Sequence, residues 1–169
     1  TALIPELNIE HNITLLNPLS QDLNVMRQSL LFSGLENIAY NQNRKNADIK
    51  FYEFGKTYHK TAEGNVENQH LQILISGRMQ AENWNTSDDK ADFYFIKEKV
   101  EHILNRLGIK KVKSEAINAN GFTDGLMYTC KKKKLVCFGN LNINLVKAFG
   151  VKSTVYAADF NWDLILELV

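Results

Sequence analysis

Glycine, proline and cysteine are sparse and scattered, and each shortage removes a kind of chemistry. The nine glycines never gather ahead of a helical stretch, so no loop is set to turn several backbone amides onto a phosphate. Gly34 falls inside a helical pattern, whereas Gly77, Gly108, Gly121, Gly125, Gly139 and Gly150 read as turns, caps or tight packing positions. The two prolines, Pro5 and Pro18, form no linker that would divide the chain. The four histidines do not stand at metal-ligand spacing, although His59 and His70 would face each other across a hairpin. Such a pair is expected to be solvated or hydrogen-bonded rather than metal-bound. Neither Cys130 nor Cys137 has a neighbouring histidine, and no Gly-x-Ser-x-Gly turn occurs, which leaves nucleophilic catalysis without support. A hairpin turning near the lysines between them would set the two cysteines across from each other, yet free thiols are expected in a reducing compartment.

An excess of one charge and a long apolar run are missing too. A formal net charge of +1 gives no global pull toward nucleic acid. No apolar stretch approaches the roughly 20 residues that span a bilayer, and the amino terminus has no basic-then-apolar pattern. The expectation is a cytoplasmic protein with no membrane partner. What is present is ordinary for a globular chain: 169 residues, 44% hydrophobic and 23% charged, enough for one sizeable core. The opening Thr-Ala-Leu-Ile-Pro, without Met, suggests a piece of something longer.

Periodicity supplies the elements. Pro18 should end a strand-like Ile13–Leu16, and Ser20 and Asp22 offer N-caps for a helix from about Gln21 to Arg44. Leu31, Leu35 and Ile38 share one side of it, and Val25, Met26, Leu30, Phe32 and Ala39 widen the apolar surface. Strands follow at Ile49–His59 and Leu71–Gly77, joined as a long antiparallel hairpin through a turn at 61–65. Asp92 caps a helix whose Phe93, Ile96, Val100, Ile103, Leu104 and Leu107 recur at helical spacing before Gly108. Strands at Val112–Ile117, Leu126–Lys131, Leu135–Leu141 and Val155–Phe160 and helices at Asn142–Phe149 and Asp163–Leu168 complete the pattern. Strands and helices do not alternate, so the fold class is α+β, a mainly antiparallel sheet flanked by helices.

The runs Asn17-Pro18-Leu19-Ser20, Met26-Arg27-x-Ser29-Leu30-Leu31, Asn41-x-Asn43-Arg44-Lys45 and Phe51-Tyr52-Glu53-Phe54-Gly55 resemble the C-terminal, catalytic-like part of the bacterial phenylalanine–tRNA ligase beta chain. Trp84-Asn85, Asp92-Phe93-Tyr94-x-x-Lys97, Phe138-Gly139-Asn140-Leu141, Ala148-Phe149-Gly150 and Val155-Tyr156-Ala157-Ala158-Asp159-Phe160 continue the likeness in the same order. It therefore covers most of the chain, and the order and spacing of its motifs carry its specificity.

The resemblance implies a class II aminoacyl-tRNA synthetase catalytic fold over residues 1–169, a single domain of a longer beta chain. It implies an enzyme that joins phenylalanine to its tRNA with ATP and magnesium, as a tetramer of two alpha and two beta chains whose alpha subunit does the chemistry. Competent members are expected to carry an Arg followed closely by an acid on the first hairpin and a Gly-rich, Arg-containing segment at the last strand. Here those places hold Lys56-Thr57-Tyr58-His59-Lys60-Thr61 and Ala157-Ala158-Asp159-Phe160-Asn161-Trp162. Where the family often has a His-Pro-Gly-like segment, Phe122-Thr123-Asp124-Gly125 stands, and no role is assigned to that loop. The editing, amino-terminal RNA-binding and metal-associated domains of such chains would lie outside these residues.

The domain is thus expected to be a non-catalytic scaffold. It would have no catalytic, cofactor-binding or metal residue of its own, and its partners would be the alpha subunit, a second beta subunit and, through the complex, tRNA. Met26, Arg27, Leu30 and Leu31 are the candidate alpha-subunit contacts, with packing of the same residues against their own sheet as the alternative. Two other functions are weighed: a free-standing class II-like ATP-dependent ligase, and an RNA-binding module using Lys131, Lys132, Lys133 and Lys134. A solvated turn that discourages edge pairing is the plainer account of those lysines.

Overall fold

A computed structural model describes residues 4, 7–20, 24–80, 83–85, 88–117 and 121–169. Among these, six strands form one sheet: β1 (Ile49–Thr61), β2 (Gly64–Ser76), β3 (Lys113–Ile117), β4 (Phe122–Cys130), β5 (Lys133–Leu141) and β6 (Val155–Asn161). Their order is β1-β2-β6-β5-β4-β3, and every pairing is antiparallel. Four α-helices accompany them: α1 (Leu31–Gln42), α2 (Phe93–Arg106), α3 (Ile143–Ala148) and α4 (Trp162–Leu168).

Side chains on a strand alternate between faces, and both faces here are apolar, so two cores form. On one face Leu71, Ile75, Phe138 and Phe160 lie under Ile96, Val100 and Leu104 of α2 and Leu164 and Ile165 of α4. On the other, Leu74, Ala157 and Leu141 lie under Leu35 and Ile38 of α1 and Leu145 and Val146 of α3. Full burial of a side chain such as Leu35 or Ile38 contributes about 1.5–3 kcal/mol each. Gly34 lets α1 sit this low on the sheet, because a Cβ there would overlap the Leu74 side chain. The last turn of α1 is tied down as well: Gln42 accepts from the Lys152 amide at 3.0 Å and donates to Ser153 Oγ.

α2, α3 and α4 fall within about a residue of the sequence expectation. The Asp92 carboxylate accepts from the Phe95 amide at 2.8 Å, and Gly108 takes φ +77 where the chain leaves α2. Asn161 caps α4 by accepting from the Leu164 amide. β2 starts earlier than expected because residues 64–70, Val66 apart, carry polar side chains with no apolar alternation, and only Asn68 and His70 among them are half-buried. The segment expected as a loop at 122–125 is the start of β4, bulged between Phe122 and Asp124. Thr14 alone of the expected 13–16 strand makes a bridge, to Val25.

The expected helix from Gln21 to Arg44 is corrected to α1. Residues 21–23 lie outside the described residues, and 24–30 are not helical. Backbone partners explain this: Leu15 donates to the Asn24 carbonyl, Met26 donates to the Ile13 carbonyl, and the Arg27 carbonyl accepts from Tyr58 of β1. Amide and carbonyl groups committed sideways cannot make i to i−4 bonds. Ser29 Oγ then accepts from the Leu31 amide as the helix begins.

The cysteines do not face each other. Cys130 is opposite Lys133 and Cys137 opposite Met127, and both are free thiols, as expected.

Candidate functional site

α1 covers only one end of its sheet face, and a polar cleft occupies the other end. Thr57 and His59 of β1, His70 and Gln72 of β2, Cys137 of β5 and Asp159 of β6 share that face by strand alternation. Gln28, Ser29 and Leu31 wall one side and Ile4 and Leu7 another, enclosing about 220 Å³.

His70 Nδ1 lies 2.8 Å from Asp159 Oδ1. Burial opposes charging His70, but the hydrogen bond and the charge of Asp159 outweigh it and raise the imidazole pKa above its ordinary value. For His59 burial prevails, His70 adds repulsion, and the pKa falls. Burial chiefly, with Asp159 nearby, pushes the Cys137 thiol up to about 11, so it stays protonated and unreactive at neutral pH. The two histidines are not cross-strand partners: His59 stands opposite Val66 and His70 opposite Gly55. They share the face and the cleft instead of a register position.

The residues expected at a subunit contact take different places. Leu30 and Leu31 are buried at 2% and 6% exposure, within the domain's own packing. Met26 is half-buried and Arg27 exposed. The Arg27 guanidinium donates to Glu53 Oε1 at 2.7 Å and to the Lys56 carbonyl at 3.0 Å, clamping the 24–30 segment onto β1 above Gly55.

A nucleotide site on this face would need guanidinium groups and clustered carboxylates for a metal, and the residues present do not fit. None of the four arginines lines the cleft. Arg27 is held by Glu53, Arg44 stacks on Tyr40, Arg78 pairs with Asp48 and Asp88, and Arg106 ends α2 on the opposite face. Among the described residues no three His, Cys, Asp or Glu side chains gather to hold a metal ion.

The lysine run splits on the structure. Lys131 and Lys132 form the β4–β5 turn with φ of +50 and +66, and Lys133 pairs with Glu167 of α4 at 2.9 Å. Lys131, Lys132 and Lys134 instead join Lys111 and Lys113 around a groove at the β3 edge, with Glu115 among them. Lys111 and Lys113 escaped the sequence reading, although their spacing on either side of Val112 was the available signal. Gln28, Thr57 and Asp159 escaped it as well, and only the period-two series Gly55-Thr57-His59 hinted at a shared face.

The sheet order, the long first hairpin and the final strand running into α4 define a class II aminoacyl-tRNA synthetase type of fold. Two solved structures of pyrrolysyl-tRNA synthetase from Desulfitobacterium hafniense share it, with TM-scores of 0.69 and 0.66 over 94% of this chain and 53% of theirs. At 13% and 15% identity they speak for the fold alone. Residues 3–162 match the family model for the phenylalanyl tRNA synthetase beta chain CLM domain, and the chain belongs to that family. Curated relatives named phenylalanine–tRNA ligase beta subunit agree: 40% identity in Bacteroides fragilis, 39% in Bacteroides thetaiotaomicron and 31% in Porphyromonas gingivalis, over 93–94% of this chain. The chain spans about a fifth, 21%, of the length of those relatives.

Proposed function

We propose that these residues form a non-catalytic scaffold domain of a phenylalanine–tRNA ligase beta subunit. It would work in the cytoplasm, hold the alpha subunit in place and complete an assembly with a second beta chain. In that reading ATP and magnesium act at the alpha subunit, and tRNA is engaged by the whole complex. The observation that carries it is a class II-type sheet whose open-face cleft is lined by no arginine, the Arg27 guanidinium above Gly55 being held by Glu53. The same observation removes support from a free-standing ATP-dependent ligase.

The alpha contact is assigned to the exposed run around Met26 and Arg27, with Leu30 and Leu31 anchoring it from beneath. In the full-length beta chain co-expressed with alpha, Arg27→Glu is expected to weaken association roughly tenfold or more through charge reversal. Glu53→Gln loosens the same clamp without adding an acid and is expected to leave association near that of the unaltered protein. Size and stoichiometry of the purified complex give the readout, and unchanged assembly with Arg27→Glu would remove Arg27 from the contact.

The lysine groove at the β3 edge favours a second reading, in which this domain also touches RNA phosphates. Neutralising Lys131, Lys132 and Lys134 together would then flatten the salt dependence of tRNA binding by about three counterions' worth of slope. An unaltered slope would leave the groove as a solvated edge.

A further inference from the structure

We propose that the groove between α2 and the β1–β2 end of the sheet seats one amphipathic α-helix of the longer beta chain, about three turns long and bordered by Asp or Glu. On this face α2 and α4 lie over β5, β6 and part of β2. The side chains that β1 turns to the same face stay open to solvent, Tyr52 at 71% and Phe54 at 56% exposure. Two adjoining hollows of about 500 and 480 Å³, which share Phe54, Leu71, His102 and Ile103, make one continuous groove along them.

The groove has the dimensions of a helix. Its floor comes from two strands, Tyr52 and Phe54 of β1 beside Leu71, Ile73 and Ile75 of β2, and is therefore about 10 Å across at roughly 4.8 Å per strand. Its wall runs along α2 from Phe95 to Arg106, about 16 Å at 1.5 Å per residue, or three turns. A helix with its side chains is about 10–12 Å wide. Aliphatic side chains make the floor and the rings of Tyr52, Phe54 and Trp162 its exposed rim, the composition of a buried docking surface.

The borders select the charge of the occupant. Lys50 stands on the strand side and Lys99, His102 and Arg106 on the helix side, and no Asp or Glu lines the groove. Lys99 is engaged already, by Glu98 at 3.2 Å and over the Phe95 ring. Lys50, His102 and Arg106 meet no carboxylate among the described residues. An apolar stripe with an acid on each border answers both walls. A second copy of the groove would set these cations against one another across a two-fold axis. Single-stranded RNA would find no run of parallel ring faces, because Tyr52 meets Phe54 at 82° and Phe54 meets Trp162 at 77°. Attachment favours the beta chain's own remainder over a separate protein: this chain spans 21% of the curated relative in Bacteroides fragilis, and a helix tethered through a short linker acts at about millimolar effective concentration.

This inference rests on the proposed function only in placing the domain within a longer beta chain. The test is photocross-linking in the full-length beta chain, purified with and without alpha, with p-benzoylphenylalanine in place of Tyr52 and, separately, of Phe54. Mass spectrometry identifies the linked peptides. The expected product is a link within the chain, formed alike in both preparations, to one segment with apolar residues at i, i+3, i+4 and i+7 and Asp or Glu beside them. Arg106→Glu, at an exposed position, is expected to lower its yield at least about threefold. Exchanging an acid of the captured segment for Lys should restore the yield in the Arg106→Glu background. No link within the chain, a link instead to alpha, a second beta chain or tRNA, a captured segment without acids, or a yield indifferent to Arg106→Glu would overturn the proposal. An intrachain link in a beta chain that fails to hold alpha would support the seat and count against the scaffold reading alone.

Discussion

Two histidines on one sheet face are pushed in opposite directions, and that makes single-residue electrostatics measurable. His70 has a raised pKa in the folded protein, so its contribution to stability is fully present below about 6.5 and is lost as pH rises through the raised value. His59 has a lowered one. Below about 6.5 the unfolded chain takes up that proton first, and stability falls as pH drops toward the folded value. The two act in opposite directions in the intact protein and separate in variants. In His59→Gln, urea midpoints are expected to be higher at pH 5 than at pH 8 relative to the double variant lacking both imidazoles. In His70→Gln, the order on the same comparison reverses, because burial is the main cause of the His59 shift and remains. Identical trends in the two single variants would contradict this assignment.

Among the elements, α1 shows how a contact can overrule propensity. Alanine is favoured over glycine inside a helix by about 1 kcal/mol, yet the Gly34 position has no room for a methyl group against Leu74. Gly34→Ala is therefore expected to destabilise by about 1–3 kcal/mol, read as a lower urea midpoint, while Glu36→Ala on the exposed side stays near neutral. A stabilising Gly34→Ala would show that α1 can lift off the sheet at no cost. Legibility followed the same line between local and distant causes. α2 was readable because Asp92, the stripe of Ile96, Val100 and Leu104, and Gly108 are all within its own stretch. The 24–30 segment was misread as helix because its hydrogen bonds run to residues 13–15 and to Tyr58, and no local pattern encodes those partners. The cleft was hidden for the same reason: Gln28, Thr57, His70, Cys137 and Asp159 come from five separate stretches that only the sheet brings together. That residues 56–61 and 157–162 hold no arginine was, by contrast, visible directly, since an absent side chain needs no geometry.

Across the whole molecule, two sheet edges face different fates. β3 presents Lys113, Ser114 and Glu115, short and charged, as edges that refuse further strands do. β1 is long, with Tyr52 and Phe54 exposed at 71% and 56%, and depends on the 24–30 segment at only part of its length. β6 accompanies β2 only from His70 to Ser76. Beyond that point no third strand joins them, Arg27 holding β1 at Lys56 and Tyr58, and the hairpin runs on to its turn as an arm of roughly 20 Å at about 3.3 Å per residue. Residues 60–67 at its end are exposed throughout. Amide hydrogen exchange should therefore divide one unbroken ladder into two zones. Amides of Leu71–Ile75, flanked by strands on both sides, are expected to exchange only on global opening, and those beyond Lys60 through local fraying that leaves the core closed. The boundary would fall near His70, where the third strand ends, with nothing in the hairpin itself to mark it.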